Sequence, residues 1–237
     1  MIARYPPPAE TLPPLERGDR NLNPRGMSLL ALLDEDRRTQ ERGLLSQGFW
    51  VLALHRFGNW RMDRPALVRA PLSLIYKLLY PLTECLCGIK LSYTVPVGRR
   101  VRIEHFGGII IGARAIGDDC VIRQNTTLGV ARRTERSAKP IIEERVDIGC
   151  GVAILGNVRV GHDSLIGANA VVVKDVPPYA LVAGVPARVI RMRDDIAATD
   201  ADGHLAEDGV REGAGELRRP APPIHQPRRS GERVGDP

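Results

Sequence analysis

The sequence predicts a mostly β chain built around a parallel β-helix, with a short α-helical segment in front of it. Two observations predict this: a six-residue aliphatic period and a scarcity of aromatic rings. Ile142, Ile148, Ile154, Val160, Ile166 and Val172 are spaced by six without exception, as are Leu91, Val97 and Ile103, and again Ile116, Ile122 and Leu128. Hydrophobic residues make up 43% of the 237 positions, yet aromatics only 4%. A period of six belongs neither to a helix nor to a simple strand. A chain that turns a corner every six residues sends one aliphatic side chain inward per flat side, and three sides close a coil of about 18 residues. The narrow axis of such a prism has little room for rings.

A second column lies four residues after the first. It reads Val95, Val101 and Gly107, then Cys120 and Thr126, then Val146, Val152, Val158, Ser164, Ala170 and Val176. These small or β-branched residues suit a tight corner. Glycine often follows the first column directly, as at Gly129, Gly149 and Gly167, and relaxes the backbone at the turn. The repeat is interrupted twice. One residue is inserted between Ile103 and Ile116, near the run Gly107 to Gly112, and about two are added between Leu128 and Ile142. The stretch Val130 to Pro140 therefore reads as a polar loop thrown out from the prism. Breaks in a solenoid wall are where sites are commonly built.

The remaining segments follow from composition and helical periodicity. Residues 1–26 are rich in Pro, Arg and Gly and are expected to be irregular. Residues 27–90 read as two or three amphipathic helices, with arginines on their wet faces and Trp50 and Trp60 as packing residues. The β-helix then occupies 91–192. Residues 193–237 lack a packing pattern and are expected to be a disordered tail; 11 of the 19 prolines fall in residues 1–25 or 195–237. The longest apolar candidate, Ala66 to Leu91, is broken by Arg69, Lys77 and Glu84, so membrane contact is expected to be peripheral at most.

Net charge is +6, which permits an anionic partner without naming one. Few aromatics are available to stack on bases and no reader motif is present, so nucleic acid is not an expected partner. The four cysteines (Cys85, Cys87, Cys120 and Cys150) show no paired C-x-x-C spacing, and the five histidines do not cluster with them. A reduced, cytoplasmic setting and no metal are the expectations.

The double column resembles the hexapeptide-repeat acyltransferases, and within them the serine acetyltransferase branch. Ile103-Glu104-His105-Phe106-Gly107-Gly108-Ile109-Ile110-Ile111-Gly112 is similar to the catalytic stretch of that branch. Gln124-Asn125-Thr126-Thr127-Leu128-Gly129 is similar to the segment ahead of its extruded loop, and Ala183-Gly184-Val185-Pro186-Ala187-Arg188 to its final coil. The resemblance implies a left-handed coil, assembly as a homotrimer or a dimer of trimers, and acetyl transfer from acetyl-CoA to a hydroxyl. The chain departs from the branch in four places, one being the ending Gly235-Asp236-Pro237, where the branch ends in isoleucine. Lys90 stands where an aspartate precedes the histidine by fifteen residues, Ala138-Lys139-Pro140 replaces Arg-His-Pro on the loop, and Glu104 replaces an aspartate. The acceptor therefore stays open between L-serine and a sugar hydroxyl of polysaccharide assembly, with a non-catalytic assembly platform as the reading from another class.

Such a transfer needs a base for the hydroxyl proton, donors for the oxyanion and a slot for the pantetheine arm. His105 is the candidate base, since imidazole titrates near neutral pH and this histidine sits beside the glycine-rich break. Glu104 is the nearest candidate acid. For the coenzyme, Gly149, Gly167 and Ala168 are expected to let pantetheine lie against backbone, with Lys174 and Arg188 near its phosphates. Gly107, Gly108 or Gly129 of a neighbouring subunit is the candidate backbone donor for the oxyanion, and Gly129 is also among the expected coenzyme-binding residues.

Overall fold

The computed structural model of the chain describes residues 14–192; the expectations for residues 1–13 and 193–237 lie outside the described residues. From Ile89 onward the chain winds as short parallel strands forming three walls. The first wall holds β1 (Ile89–Leu91), β3 (Ile109–Ile111), β6 (Thr127–Gly129), β9 (Ala153–Leu155) and β12 (Val171–Val172). The second holds β4 (Ala115–Ile116), β7 (Ile141–Ile142) and β10 (Arg159–Val160). The third holds β2 (Arg102–Glu104), β5 (Val121–Arg123), β8 (Asp147–Ile148), β11 (Leu165–Ile166), β13 (Ala180–Ala183) and β14 (Arg188–Met192). Every pairing is parallel except β13 with β14, which closes the last coil as a hairpin. Strands on one wall come from successive coils, so backbone hydrogen bonds run from coil to coil.

The period-six aliphatics fill the axis. Ile122, Leu128, Ile148, Ile154, Val160 and Ile166 have no solvent exposure at all. Burying each such side chain contributes about 1.5–3 kcal/mol. The corners repeat as well. Arg100, Asp119, Asn125, Arg145, Asp163, Asn169 and Tyr179 adopt left-handed backbone, and each immediately precedes a buried small or β-branched residue.

The structure corrects the repeat at three points. Ile109, not Gly107, takes the second-column place, because β3 aligns Ile111 with Leu128. Two residues are thus inserted between Ile103 and Ile111, and one is missing before Ile116; the counted spacing saw only the net of one. The strands β6 and β7 lie on consecutive walls, so the stretch from Leu128 to Ile142 is one side carrying eight extra residues rather than two sides carrying two. Val176 bridges Val160 and therefore belongs to the first column. A spacing alone cannot distinguish one long side from two ordinary sides with a short insertion.

Among the described residues three α-helices precede the coil: α1 (Leu29–Thr39), α2 (Gln47–Trp60) and α3 (Ala66–Cys87), of 11, 14 and 22 residues. Ser28 caps α1, its Oγ accepting the Ala31 N–H at 3.2 Å. Gly88, at φ 62°, ends α3 in the left-handed turn that leads into β1. The helices cover the top of the first coil, whose edge would otherwise present unpaired backbone groups. Gln40 accepts the Ile103 N–H at 3.0 Å and donates to Val101 O at 2.9 Å. His55 Nε2 meets Val95 O at 2.8 Å, and Arg56 donates to Val97 O at 2.7 Å and Gly98 O at 2.6 Å. Arg56 and Arg61 are buried, against the expectation that the arginines occupy wet faces. Burial is tolerated because Arg56 is paired with Asp36 and Arg61 lies over the Tyr76 and Tyr93 rings.

The face that α3 turns outward is apolar. Leu67, Leu74, Ile75, Leu78, Leu82 and Leu86 are all exposed, Leu67 by 91%, and Lys77 is the nearest charge beside them. Leu44, Leu45 and Trp50 continue this patch and help line a groove of about 480 Å³ against Leu82 and Leu86. No helix among the described residues is long and apolar enough to cross a membrane.

Candidate active site

His105 sits on the corner between the third wall and the first, directly after β2. Its backbone is left-handed at φ 58°, but the next residue, Phe106, is exposed rather than buried. Gly107 and Gly108 also have positive φ, at 98° and 67°. Three such residues within four lift the chain out of the regular corner. A Cβ at Gly108 would run into the Asn125 side chain of the coil below, which explains glycine there. The result is an exposed imidazole with no hydrogen-bond partner among the described residues. The other described histidines are engaged: His55, on α2, is buried with Nε2 at 2.8 Å from Val95 O, and His162 Nδ1 meets Asp163 Oδ2 at 2.8 Å.

Glu104 points elsewhere. Its carboxylate meets Arg123 Nε at 2.9 Å and Arg102 Nη1 at 3.3 Å. Arg123 in turn pairs with Asp147 one coil further down. This column of alternating charge stitches the third wall together and leaves His105 without a carboxylate on its ring nitrogens.

His105 opens onto a cleft of about 520 Å³ between the coil and the helical cap. Glu104, Phe106 and Gln124 line it from the coil side, Glu41, Arg42 and Ser46 from the connection between α1 and α2, and Gln47 from the start of α2. Sequence reasoning missed the helical side entirely, because the cleft is assembled by docking and carries no periodic signature. Gln124 was legible in principle, since it occupies the corner one coil beneath His105.

The candidate coenzyme residues fall on two edges. Gly149, Gly167 and Ala168 lie on the His105 edge, in the second and third coils below it, on the order of 10–15 Å away at about 4.8 Å per coil. Stacking explains the two glycines: a Cβ at Gly149 would stand 2.7 Å from Ala168 N, and one at Gly167 2.9 Å from Ala183 Cβ. Arg188 is exposed in β14 opposite Ala183, at the foot of the same edge. Gly129 and the exposed Lys174 lie on the next edge, between the first and second walls, from which the eight-residue insertion departs. A Cβ at Gly129 would meet nothing, so that glycine borders open space. Among the described residues no group of three His, Cys, Asp or Glu is placed to hold a metal ion.

No protein-family model matches the chain. A serine acetyltransferase of Mycobacterium tuberculosis is 40% identical over 137 residues, covering 57% of each chain. A soybean serine acetyltransferase solved in complex with serine superposes with a TM-score of 0.59 at 29% identity, covering 69% of this chain and 70% of that one. A serine acetyltransferase solved in complex with CoA gives a TM-score of 0.51 at 31% identity, over 62% and 58% of the two chains. The chain is serine acetyltransferase-like. It spans just over half the length of the curated relatives it matches, 57–58% of the first three.

Within this serine acetyltransferase-like chain, Lys90 lies on β1 and its Nζ meets Glu84 Oε1 at 3.3 Å. On the inserted loop, Arg132 pairs with Glu135 at 3.4 Å while Arg133 and Arg136 are exposed. Arg114 Nη2 donates to Ser137 O at 2.6 Å and ties the loop back to the coil.

Proposed function

We propose that the chain is an acetyl-CoA-dependent O-acetyltransferase that acetylates the hydroxyl of L-serine, with His105 as general base. The observation that carries this reading is the unpartnered imidazole of His105 facing a cleft, in a chain similar to serine acetyltransferases. The neutral ring takes the proton from the acceptor hydroxyl as its oxygen attacks the thioester carbonyl. The C–S bond then breaks, and the departing thiolate takes that proton from the imidazolium. Atoms balance with no covalent enzyme intermediate. Glu104, held by Arg102 and Arg123, acts in this account by fixing the strand end from which His105 turns.

The coil is left-handed in this proposal, as the resemblance implies. Pantetheine runs down the edge of Gly149, Gly167 and Ala168, with Arg188 at its lower end. Gly129 and Lys174 serve the same coenzyme only from a second subunit, because on one chain a whole wall separates the two edges. That geometry supports a homotrimer. The exposed apolar face of α3 supports further pairing of trimers. All four cysteines are free thiols, which supports a reducing, cytoplasmic setting.

Lys90 favours a second acceptor, a sugar hydroxyl, because a cation paired with Glu84 replaces the aspartate of the serine branch. Release of free thiol from acetyl-CoA, followed with a thiol-reactive dye, separates the two. The first reading expects release with L-serine; release with monosaccharides or nucleotide sugars alone would establish the second.

A further inference from the structure

Glu41 and Arg42 are adjacent, opposite in charge, and both line the cleft across from His105. Both are exposed and neither has a hydrogen-bond or ion-pair partner among the described residues. Elsewhere along this part of the chain charges are paired: Asp34 with Arg37 and Arg38, Glu35 with Arg99, Asp36 with Arg56. The two unpaired members are the two that face the site. The cleft contains one further unmet group, since Gln124 Oε1 is buried without a donor.

We infer that Glu41 and Arg42 form the acceptor's recognition pair. Glu41 takes an α-ammonium and Arg42 an α-carboxylate, so that the remaining hydroxyl is presented to His105. The chemistry is that of a zwitterion held at both charges, with a third point at the imidazole. A guanidinium suits the carboxylate because its planar fork donates two parallel bonds. An ammonium has three donors and suits Glu41 together with the Gln124 amide oxygen. Three points fix both the identity and the hand of a small amino acid. The inference rests on the proposed transfer to L-serine, and it places acceptor selection on the helical cap rather than on the coil.

The test compares L-serine with L-serinamide, which lacks the carboxylate, and with N-acetyl-L-serine, which lacks the ammonium, in the thiol-release assay. For the wild-type chain, KM should be about 10- to 100-fold higher for either analogue, the range of a charge-assisted bond. Arg42→Ala should raise KM for L-serine by a similar factor and abolish the preference over serinamide, with kcat within about threefold. Glu41→Gln should abolish the preference over N-acetyl-serine in the same way. KM for acetyl-CoA should stay unchanged in both. A serine-to-serinamide ratio that is the same in wild type and Arg42→Ala would overturn the inference while leaving transfer to serine standing. Thiol release with a sugar but none with L-serine would overturn the inference together with the acceptor reading.

Discussion

Arg56 Nε stands 2.9 Å from Asp36 Oδ2, and both side chains are wholly buried. The pair joins α1 to α2, and the remaining guanidinium donors reach Val97 O and Gly98 O of the first coil. Arg56 thus joins the Gln40 and His55 contacts in fixing the helical side of the cleft to the coil. Removing one partner strands a buried charge, which costs about 3–5 kcal/mol. Asp36→Ala should lower stability by that amount in urea titration and weaken the cap more than the coil. A loss below about 1 kcal/mol would show that the cap is held by other contacts.

Beside it, burial drives the His55 imidazole down to about 3, with the Arg56 charge adding to the effect and the Val95 carbonyl opposing it. The folded chain keeps this ring neutral, while in the unfolded chain it gains a proton as pH falls through about 6.5. The stability it confers is therefore complete above that pH and is lost on acidification toward 3. Between these limits the slope approaches about 1.4 kcal/mol per pH unit from this group. Urea midpoints between pH 7.5 and 5 should fall more steeply for wild type than for His55→Gln; equal slopes would contradict the assignment.

Coil stacking sets a second stability test. A Cβ at Gly149 meets Ala168 N at 2.7 Å and Ile166 O at 2.8 Å, both rigid backbone atoms. Gly149→Val should therefore destabilise by at least about 2 kcal/mol in thermal unfolding, whereas Gly129→Ala, which meets open space, should cost under about 1 kcal/mol. Equal effects would contradict the stacking geometry.

The outward face of α3 predicts assembly. Leu78 and Leu82 are 64% and 51% exposed on a helix whose solvent side carries no charge between them. Light scattering should give the wild-type chain a mass that is a multiple of 26.0 kDa, and Leu78→Glu with Leu82→Glu should reduce it. An unchanged mass would leave that face without a role in assembly.

The prism was legible because its period is imposed by the axis: every wall needs one inward aliphatic, and Ile142 through Val172 obey that without exception. The exact path around His105 was not, because the two extra residues before Ile111 and the missing one before Ile116 nearly cancel in the count. His105 itself was legible from the break beside it. Its neighbour Glu104 was the natural acid by sequence, yet the strand alternation of β2 and the register with Arg123 turn its carboxylate along the wall. The opposite case is His162 and Asp163, adjacent residues on an equivalent corner that do pair, Nδ1 to Oδ2 at 2.8 Å, with Arg145 holding the same carboxylate. Glu41 and Arg42 carried no signal, since their meeting with His105 depends on how the helices dock.

The most direct measurement is the turnover of His105→Ala in the thiol-release assay with saturating acetyl-CoA and L-serine, alongside circular dichroism of the same protein. An exposed side chain with no partner has no fold to support, so the spectrum and melting temperature should match wild type while kcat falls about 100-fold or more. A variant that folds normally and keeps more than a third of wild-type turnover would contradict the account.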